Sequence, residues 1–313
     1  DIIPAEVPLR AKYIRTIIGE AERIHSHLLW LGLAGHFLGY NTVYMWAWKL
    51  REEILDVMEI LSGNRQNYAM FKPGGVRRDI KPEDIPVVIK KIDSIIPTLS
   101  MLKKAVVDDP VLRARTEGVG ILTKEEAIDF CALGPVSRAS GVARDARKDA
   151  PYAAYPLVDW QMITTKNGDV FDKVVLRVLE TFESIKIVKE CLNHLPEGEI
   201  DLKLKDIPPG EGIGVHEAPR GECFHYVLSD GTNRPARHKV RAPTFMNLPT
   251  YKATVVGETI SDATIILAAI DPCYCCTERM AVRNTKGKTL YTGEDLVRLS
   301  QEKTEKIRRK FKR

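Results

Sequence analysis

The sequence predicts a mainly α-helical protein with a smaller β-containing portion towards its carboxyl end. Two patterns carry this. Apolar residues recur at helical spacing through long stretches before Pro196, and after it the texture changes to glycine, proline and β-branched residues. At 313 residues, 44% hydrophobic and 28% charged, the chain has the composition of an ordinary globular protein and excludes a disordered or collagen-like one. A chain of this length buries a sizeable core without disulfide or metal staples.

The first helix is expected from Pro8 to Leu31, where Tyr13, Ile17, Ile24, Leu28 and Leu31 form an apolar stripe and Arg and Glu occupy the remaining face. A second should run from about Thr42 to Leu61 and stop at Ser62-Gly63-Asn64. Between their centres, Leu28 to Trp48 is a run of 21 residues without Asp, Glu, Lys or Arg, long enough to span a bilayer. Its three glycines (Gly32, Gly35, Gly39), His36, Asn41, Thr42 and two tyrosines suit a helix, a turn and a second helix buried in protein instead. The segment Lys72 to Ile80 reads as a loop freed by Pro73-Gly74-Gly75. Pro82 to Asp108 is an amphipathic helix that Pro97 should kink. Thr123 to Leu133 is a shorter helix, because Thr123 with Glu126 three residues on makes a capping box. A loop from Gly134 to Leu157 precedes a long helix across Val170 to Leu195. Strands are expected around Cys223 to Ser229, Tyr251 to Val256 and Thr264 to Ile270. The resulting division is a helical core over 1–195, a mixed α/β segment over 196–279 carrying a cysteine motif, and a carboxyl-terminal extension over 280–313 with a basic tail.

Charge separates partners. The net charge is +5, with 47 basic and 42 acidic residues interspersed except from Lys306 to Arg313, which reads KIRRKFKR. That patch suits an anionic membrane face or nucleic acid, but a solvated helix end is the preferred reading. The chain has no aromatic-interleaved platform or recognition helix, so nucleic acid is not an expected partner. Three of the six cysteines fall within four residues, which argues against a secreted disulfide framework and for a reducing, cytoplasmic setting.

The sharpest chemical signal is Asp271-Pro272-Cys273-Tyr274-Cys275-Cys276-Thr277-Glu278-Arg279, after the apolar run Ala263 to Ile270. Two thiols three residues apart can address one metal ion, and an apolar strand carrying them inward would shield it from water. A lone C-x-x-C also occurs in zinc sites and redox dithiols; a zinc site would ask for a second pair, none follows, and His238 lies far upstream.

With these residues in view, the DPCxxCTxR motif resembles the terminal ligand motif of NiFe-hydrogenase large subunits, in the membrane-bound, energy-converting group 4 branch. Seven further stretches resemble that branch in the same order: ERIHSHLLWLG (Glu22 to Gly32), GHFLGYNT (Gly35 to Thr42), GGVRRDI (Gly74 to Ile80), GPVSRASG (Gly134 to Gly141), PYAAY (Pro151 to Tyr155), EAPRGE (Glu217 to Glu222) and RAPTF (Arg241 to Phe245). The resemblance covers nearly the whole chain, and the same scaffold is shared by the quinone-site, 49 kDa-type subunit of respiratory complex I. It implies the helical core of those subunits.

In that family nickel is held by thiolates from two C-x-x-C pairs, so the resemblance implies Cys273 as a terminal nickel ligand and Cys276 as a bridge to iron, soft donors suited to both metals. The other pair is expected upstream of the VPxRA element, matched here by Val7 to Ala11, and ahead of Asp1; a NiFe centre is therefore possible but incomplete within this sequence. Many such subunits lose a carboxyl-terminal extension by cleavage, which here would fall near Arg279-Met280. Two alternatives stay open: an unprocessed precursor, or a relative that kept the scaffold and lost the metal centre, such as the archaeal sulfane-sulfur reductase.

The resemblance makes Arg220 a cation over the site, against the alternative of an ordinary ion pair to Glu217 or Glu222. Asp271 would sit beside the same pocket, against the alternative of a turn-forming Asp-Pro. The candidate catalytic residues are thus Arg220, Asp271, Cys273 and Cys276, the last two also as metal ligands. His25 and His27, two apart on a helix, should face different ways. His216 and His225 have the chemistry of a proton relay, although hydrogen-bonded structural histidines are the plainer expectation. Cys275 is expected as a buried thiol, and Cys131, Cys191 and Cys223 as small packed hydrophobes.

The function implied is the large subunit of a ferredoxin-linked oxidoreductase complex, reducing protons to hydrogen if the metal centre is complete. The alternatives are sulfur reduction, or a complex I-like coupling and scaffold role. Implied partners are a small subunit carrying iron-sulfur clusters, other hydrophilic subunits, integral membrane ion-translocating subunits, and ferredoxin as donor. The chain would lie at the cytoplasmic face of the cell membrane, held there by its partners.

Overall fold

In the computed structural model the described residues are 2–3, 5–277 and 281–311. They form two compact units, 1–272 and 273–313.

The first unit is built on α1 (Leu9–Phe37), which packs against α2 (Asn41–Ser62) and against α8 (Val170–Asn193). The apolar run Leu28 to Trp48 is the end of α1, the turn at Gly39 (φ 83°) and the start of α2, and no described helix is long and apolar enough to cross a membrane. Two glycines let the helices close. A Cβ on Gly32 would lie 2.5 Å from the Trp48 ring, and one on Gly35 would lie 2.9 Å from the Val43 side chain. Helix α2 stops at Gly63 (φ 83°), whose N–H closes on the Glu59 carbonyl, as the stop signal predicts.

A hairpin of β1 (Phe71–Lys72) and β2 (Gly75–Val76) occupies the expected Lys72 to Ile80 loop. Helix α3 (Asp84–Asp108) continues through Pro97 and buries Val88, Ile92, Ile95, Leu99 and Leu102. After α4 (Pro110–Thr116), α5 (Lys124–Asp129) starts with the predicted capping box: Glu126 N donates to Thr123 Oγ1 at 3.2 Å and Thr123 N to Glu126 Oε2 at 3.0 Å. It ends four residues short of the expected Leu133. The expected Gly134 to Leu157 loop contains two short helices, α6 (Pro135–Ala139) and α7 (Ala146–Asp149). Asp169 caps α8 by accepting from Asp172 N at 2.8 Å.

Beyond Pro196 lies an antiparallel sheet in the order β3 (Gly210–Ala218), β4 (Gly221–Ser229), β5 (Pro235–Arg241). Only β4 matches an expected strand. Residues 251–256 and 264–270 are not strands: α9 (Pro243–Asn247) is followed by α10 (Tyr251–Thr254) and α11 (Ile260–Ala269). Thr259 caps α11 by accepting from Asp262 N at 3.3 Å, and the helix buries Ile265, Ile266 and Ala269 against α1 and α8. A short apolar run has no period that separates buried helix from buried strand.

In the second unit a 3-10 turn (Tyr274–Thr277) precedes a hairpin of β6 (Val282–Arg283) and β7 (Thr289–Tyr291) and then α12 (Gly293–Phe311), which buries none of its residues. The basic segment expected at this end is helical as far as Phe311 and exposed.

The glycine contacts make a paired prediction. G32A should lower stability by about 1–3 kcal/mol through overpacking against Trp48, whereas G19A, whose Cβ would find neighbours only at 3.8 Å, should be neutral or stabilising by up to about 1 kcal/mol. Urea unfolding of the two variants measures the difference.

Candidate functional site

The Asp-Pro-Cys motif follows the carboxyl end of α11. The last carbonyls of a helix lack intrahelical donors, and here three other elements supply them. Tyr251 Oη donates to Leu267 O at 2.7 Å, Trp30 Nε1 to Ala268 O at 2.7 Å, and Arg177 Nη2 to Ala269 O at 2.9 Å. The Arg177 guanidinium also lies 4.0 Å from the centre of the Trp30 ring, so the two donors brace each other. Asp271 then turns the chain with φ 54°, in the left-handed region that Asp tolerates better than bulkier residues. Asp271 makes the turn expected of an Asp-Pro step, and it faces Arg220. Arg220 Nε donates to Asp271 O at 2.7 Å and Nη2 to Asp271 Oδ1 at 2.9 Å. One guanidinium holds both the backbone and the side chain of the residue two before Cys273.

Arg220 itself stands in the β3–β4 turn. Gly221 (φ 125°) and Gly134 (φ 64°) bring that turn against the start of α6, backbone to backbone: a Cβ on Gly134 would lie 2.4 Å from Gly221 Cα. Only glycine on both sides permits the approach. The alternative ion pairs of Arg220 do not form, because Glu217 is held by Arg138 at 2.8 Å and Glu222 by Arg241 and Arg144.

Within the second unit Cys273 immediately precedes the 3-10 turn and Cys276 lies in it. Cys276 N donates to Cys273 O at 3.1 Å, and the two sulfurs stand 2.8 Å apart. Cys273 is half-buried and Cys276 exposed, and a helix rather than an inward-running strand precedes them. Cys275 is exposed, not the buried thiol expected, and so is Cys131; Cys191 is buried in the core as expected, while Cys223 is half-buried with Sγ 3.4 Å from His225 Nε2. A tetrahedral ion with metal–sulfur distances of about 2.3 Å separates two thiolates by roughly 3.7 Å, so this pair would have to open to chelate one. Among the described residues no group of three or more His, Cys, Asp or Glu converges for a metal. The expected processing point at Arg279-Met280, with Glu278 of the motif, lies outside the described residues.

Behind β3 lies a network of buried charge that sequence reasoning misses, because it assigns the Arg and Glu of the first helix to the solvent face. Glu20, Arg23 and Arg138 are fully buried. Arg138 Nε donates to Glu180 Oε1 at 2.9 Å and Nη1 to Glu217 Oε1 at 2.8 Å, with Asp145 at 3.3 Å. Glu180 Oε2 meets His27 Nε2 at 2.9 Å. Arg147 joins Glu20 at 3.0 Å to Asp145 at 2.7 Å. Glu20 also accepts from Tyr155 Oη at 2.5 Å and Ser184 Oγ at 2.6 Å. Arg23 reaches from the network to the β3 backbone, donating to Glu217 O at 2.6 Å and Ala218 O at 3.1 Å, immediately before Pro219-Arg220. Helix register gives a signal that could have found it: Glu20 and His27 continue the apolar stripe of Ile17, Ile24 and Leu31 at spacings of three and four.

Burial penalises the Glu20 charge, but Arg23, Arg147 and the bonds from Ser184 and Tyr155 overcome it and hold the group at about 2. Glu180 is pushed down in the same way by Arg138 and His27. Lys173, fully buried on α8 and donating to Gly120 O at 3.0 Å, is lowered to about 7 by burial and by the Arg177 charge, against Asp169 and Asp172. His25, bonded to Tyr68 Oη at 2.7 Å, is lowered to about 4 by burial and by the charges of Arg51 and Arg220. It faces away from His27, as the helix spacing predicts. His216 is lowered to about 4, mainly by burial, and its ring centre lies 5.5 Å from that of Tyr152. His225 Nδ1 meets His238 Nε2 at 2.9 Å. Neither His216 nor His225 bonds to Arg220 or Asp271.

The signs of these shifts predict opposite limbs of a stability profile. Glu20, depressed in the folded state, stabilises above the ordinary carboxylate range, and that contribution is lost as pH falls towards 2. Lys173 is neutral in the fold above about 7 but protonated in the unfolded chain until its ordinary value, so stability should rise with pH between the two. K173M should flatten the alkaline rise and leave the acid limb intact. E20Q should weaken the acid limb and cost about 3–5 kcal/mol at neutral pH, the cost of unpairing a buried ion. Urea midpoints across pH measure both.

Known proteins share this arrangement of sequence. Residues 38–207 and 202–279 match the family described as respiratory-chain NADH dehydrogenase, 49 Kd subunit. The membrane-bound hydrogenase subunit alpha of Pyrococcus furiosus is 40% identical over 96% of this chain and 75% of its own length. The carbon monoxide-induced hydrogenase of Rhodospirillum rubrum is 37% identical over 87% and 76%. An NADH-quinone oxidoreductase subunit of Dehalococcoides mccartyi is 38% identical over 85% and 73%. The helical core and these relatives agree: the chain belongs to the family of the respiratory-chain NADH dehydrogenase 49 kDa subunit, in the branch it shares with the large subunits of membrane-bound hydrogenases.

Proposed function

We propose that this chain is the large, catalytic-type subunit of a membrane-bound, ferredoxin-linked oxidoreductase complex that reduces protons to hydrogen at a nickel–iron centre. The observation that carries the reading is the thiol pair: Cys273 and Cys276 converge to 2.8 Å on one turn, immediately after an Asp-Pro step gripped by Arg220. A scaffold subunit has no need of two such sulfurs.

Cys273 and Cys276 would hold the metal as thiolates, with the other donors supplied from beyond the described residues. When bound, a nickel–iron centre supplies the two-electron chemistry between protons and hydrogen. The residues of this chain do the rest. Arg220 holds the turn at Asp271, whose charge is balanced locally by the guanidinium. Exposure of Cys276 suits contact with a small iron-sulfur subunit, through whose clusters ferredoxin electrons would arrive. The likeness to a membrane-bound hydrogenase subunit supports a position at the membrane, on this reading peripheral at the cytoplasmic face and held by integral membrane subunits that move ions.

The second reading is a relative without nickel, a sulfane-sulfur reductase or a coupling subunit like that of complex I; the likeness to an NADH-quinone oxidoreductase supports it. Metal analysis of the complex purified from native membranes separates the two. Nickel and iron in stoichiometric amount, with nickel reduced at least about tenfold in C273S and C276S, is the outcome expected of the hydrogenase. A complex without nickel that reduces polysulfide or quinone with ferredoxin electrons would replace it with the second reading.

A further inference from the structure

The second unit ends in a helix with a segregated surface. In α12 (Gly293–Phe311) the residues Leu296, Ser300, Thr304, Ile307 and Phe311 follow one another at spacings of three and four and so lie on one face, with Val297 beside them. Val297 is 49% exposed, Ile307 45% and Phe311 85%. Lys303, Lys306 and Lys310 run at helical spacing along one border of that face, and none of the three forms an ion pair among the described residues. The acidic residues are elsewhere: Glu294, Asp295, Glu302 and Glu305 occupy the opposite side, where Asp295 pairs with Arg298 at 3.0 Å and Glu305 with Arg308 at 2.9 Å.

We propose that α12 lies directly on an anionic lipid surface, its Ile307–Phe311 end set among the acyl chains and its lysine row set on the headgroups. Three features select this occupant. The apolar face is shallow and broken by Ser300 and Thr304, so it lacks the continuous anchors that a helix needs in a protein groove. It is flanked by flexible cations that extend along apolar surface while their charges stay in water. Net positive charge is concentrated on the lipid-facing side while the acids point away, which complements an anionic membrane and not a neutral one. This inference holds for the chain that retains the segment beyond Arg279, and it goes beyond attachment through partner subunits.

The test uses the purified full chain without partners, in flotation with vesicles of phosphatidylglycerol and phosphatidylcholine and with vesicles of phosphatidylcholine alone. The chain should bind the anionic vesicles, release with salt, and ignore the neutral ones. K306Q and K310Q should each weaken binding about fivefold, and I307S with F311S should abolish it. None of these positions is buried, so the fold is not at risk, and circular dichroism confirms it. Failure of the wild-type chain to bind anionic vesicles, equal binding to neutral ones, binding that survives both sets of substitutions, or preferential capture of duplex DNA over the vesicles overturns the proposal. None of those outcomes bears on metal content, so the thiolate-site reading stands or falls separately.

Discussion

The fold depends on how Arg138 is satisfied. A fully buried guanidinium is tolerated only when carboxylates and hydrogen-bond acceptors surround it, and those around Arg138 come from three places in the chain: Glu180 on α8, Glu217 on β3 and Asp145 ahead of α7. Arg147 carries the network on to Glu20 of α1. Each member neutralises its neighbours in a volume without solvent, so removing one strands the others. The network therefore fixes the sheet against the helices more specifically than apolar contact alone, since an apolar surface can slide and an ion pair at 2.8 Å cannot.

That fixity is transmitted to the candidate site by short links. Arg23 lies in the same cluster and binds the β3 carbonyls of Glu217 and Ala218, which places Arg220 at the head of the turn. Gly134 and Gly221 set the depth of that turn by leaving no Cβ between two backbones. On the other side, Trp30 and Arg177 hold the end of α11 and so the position of Asp271. The Arg220–Asp271 pair thus joins two independently anchored elements, and neither residue has to find the other by its own flexibility.

Much of this is legible without the structure. Gly63, Thr123 and Glu126 act through neighbours in sequence, so stop signal and capping box appear where their chemistry requires them. Arg220 and Asp271 are identifiable through motif resemblance, and they meet. The strand expected at 264–270 fails because isoleucine, alanine and threonine runs suit either state, and Thr259 as a cap with burial against α1 and α8 decides for helix; residues 251–254 are a short helix as well. The outer strands β3 and β5 escape detection because glycines and charges interrupt any alternation there.

The amino-acid sequence by itself determined the helical class, the order of the main helices and the candidate chemistry, because periodicity, caps and cysteine spacing are local properties carried by each segment. Only the tertiary structure decided that Glu20 and Arg138 are core residues, that Arg220 pairs with Asp271 rather than with its neighbours Glu217 and Glu222, and that α11 is a helix whose final carbonyls are bonded from afar. Those outcomes turn on which donors and acceptors arrive together from distant parts of the chain, and burial converts such meetings into requirements by removing the water that would otherwise satisfy each group alone.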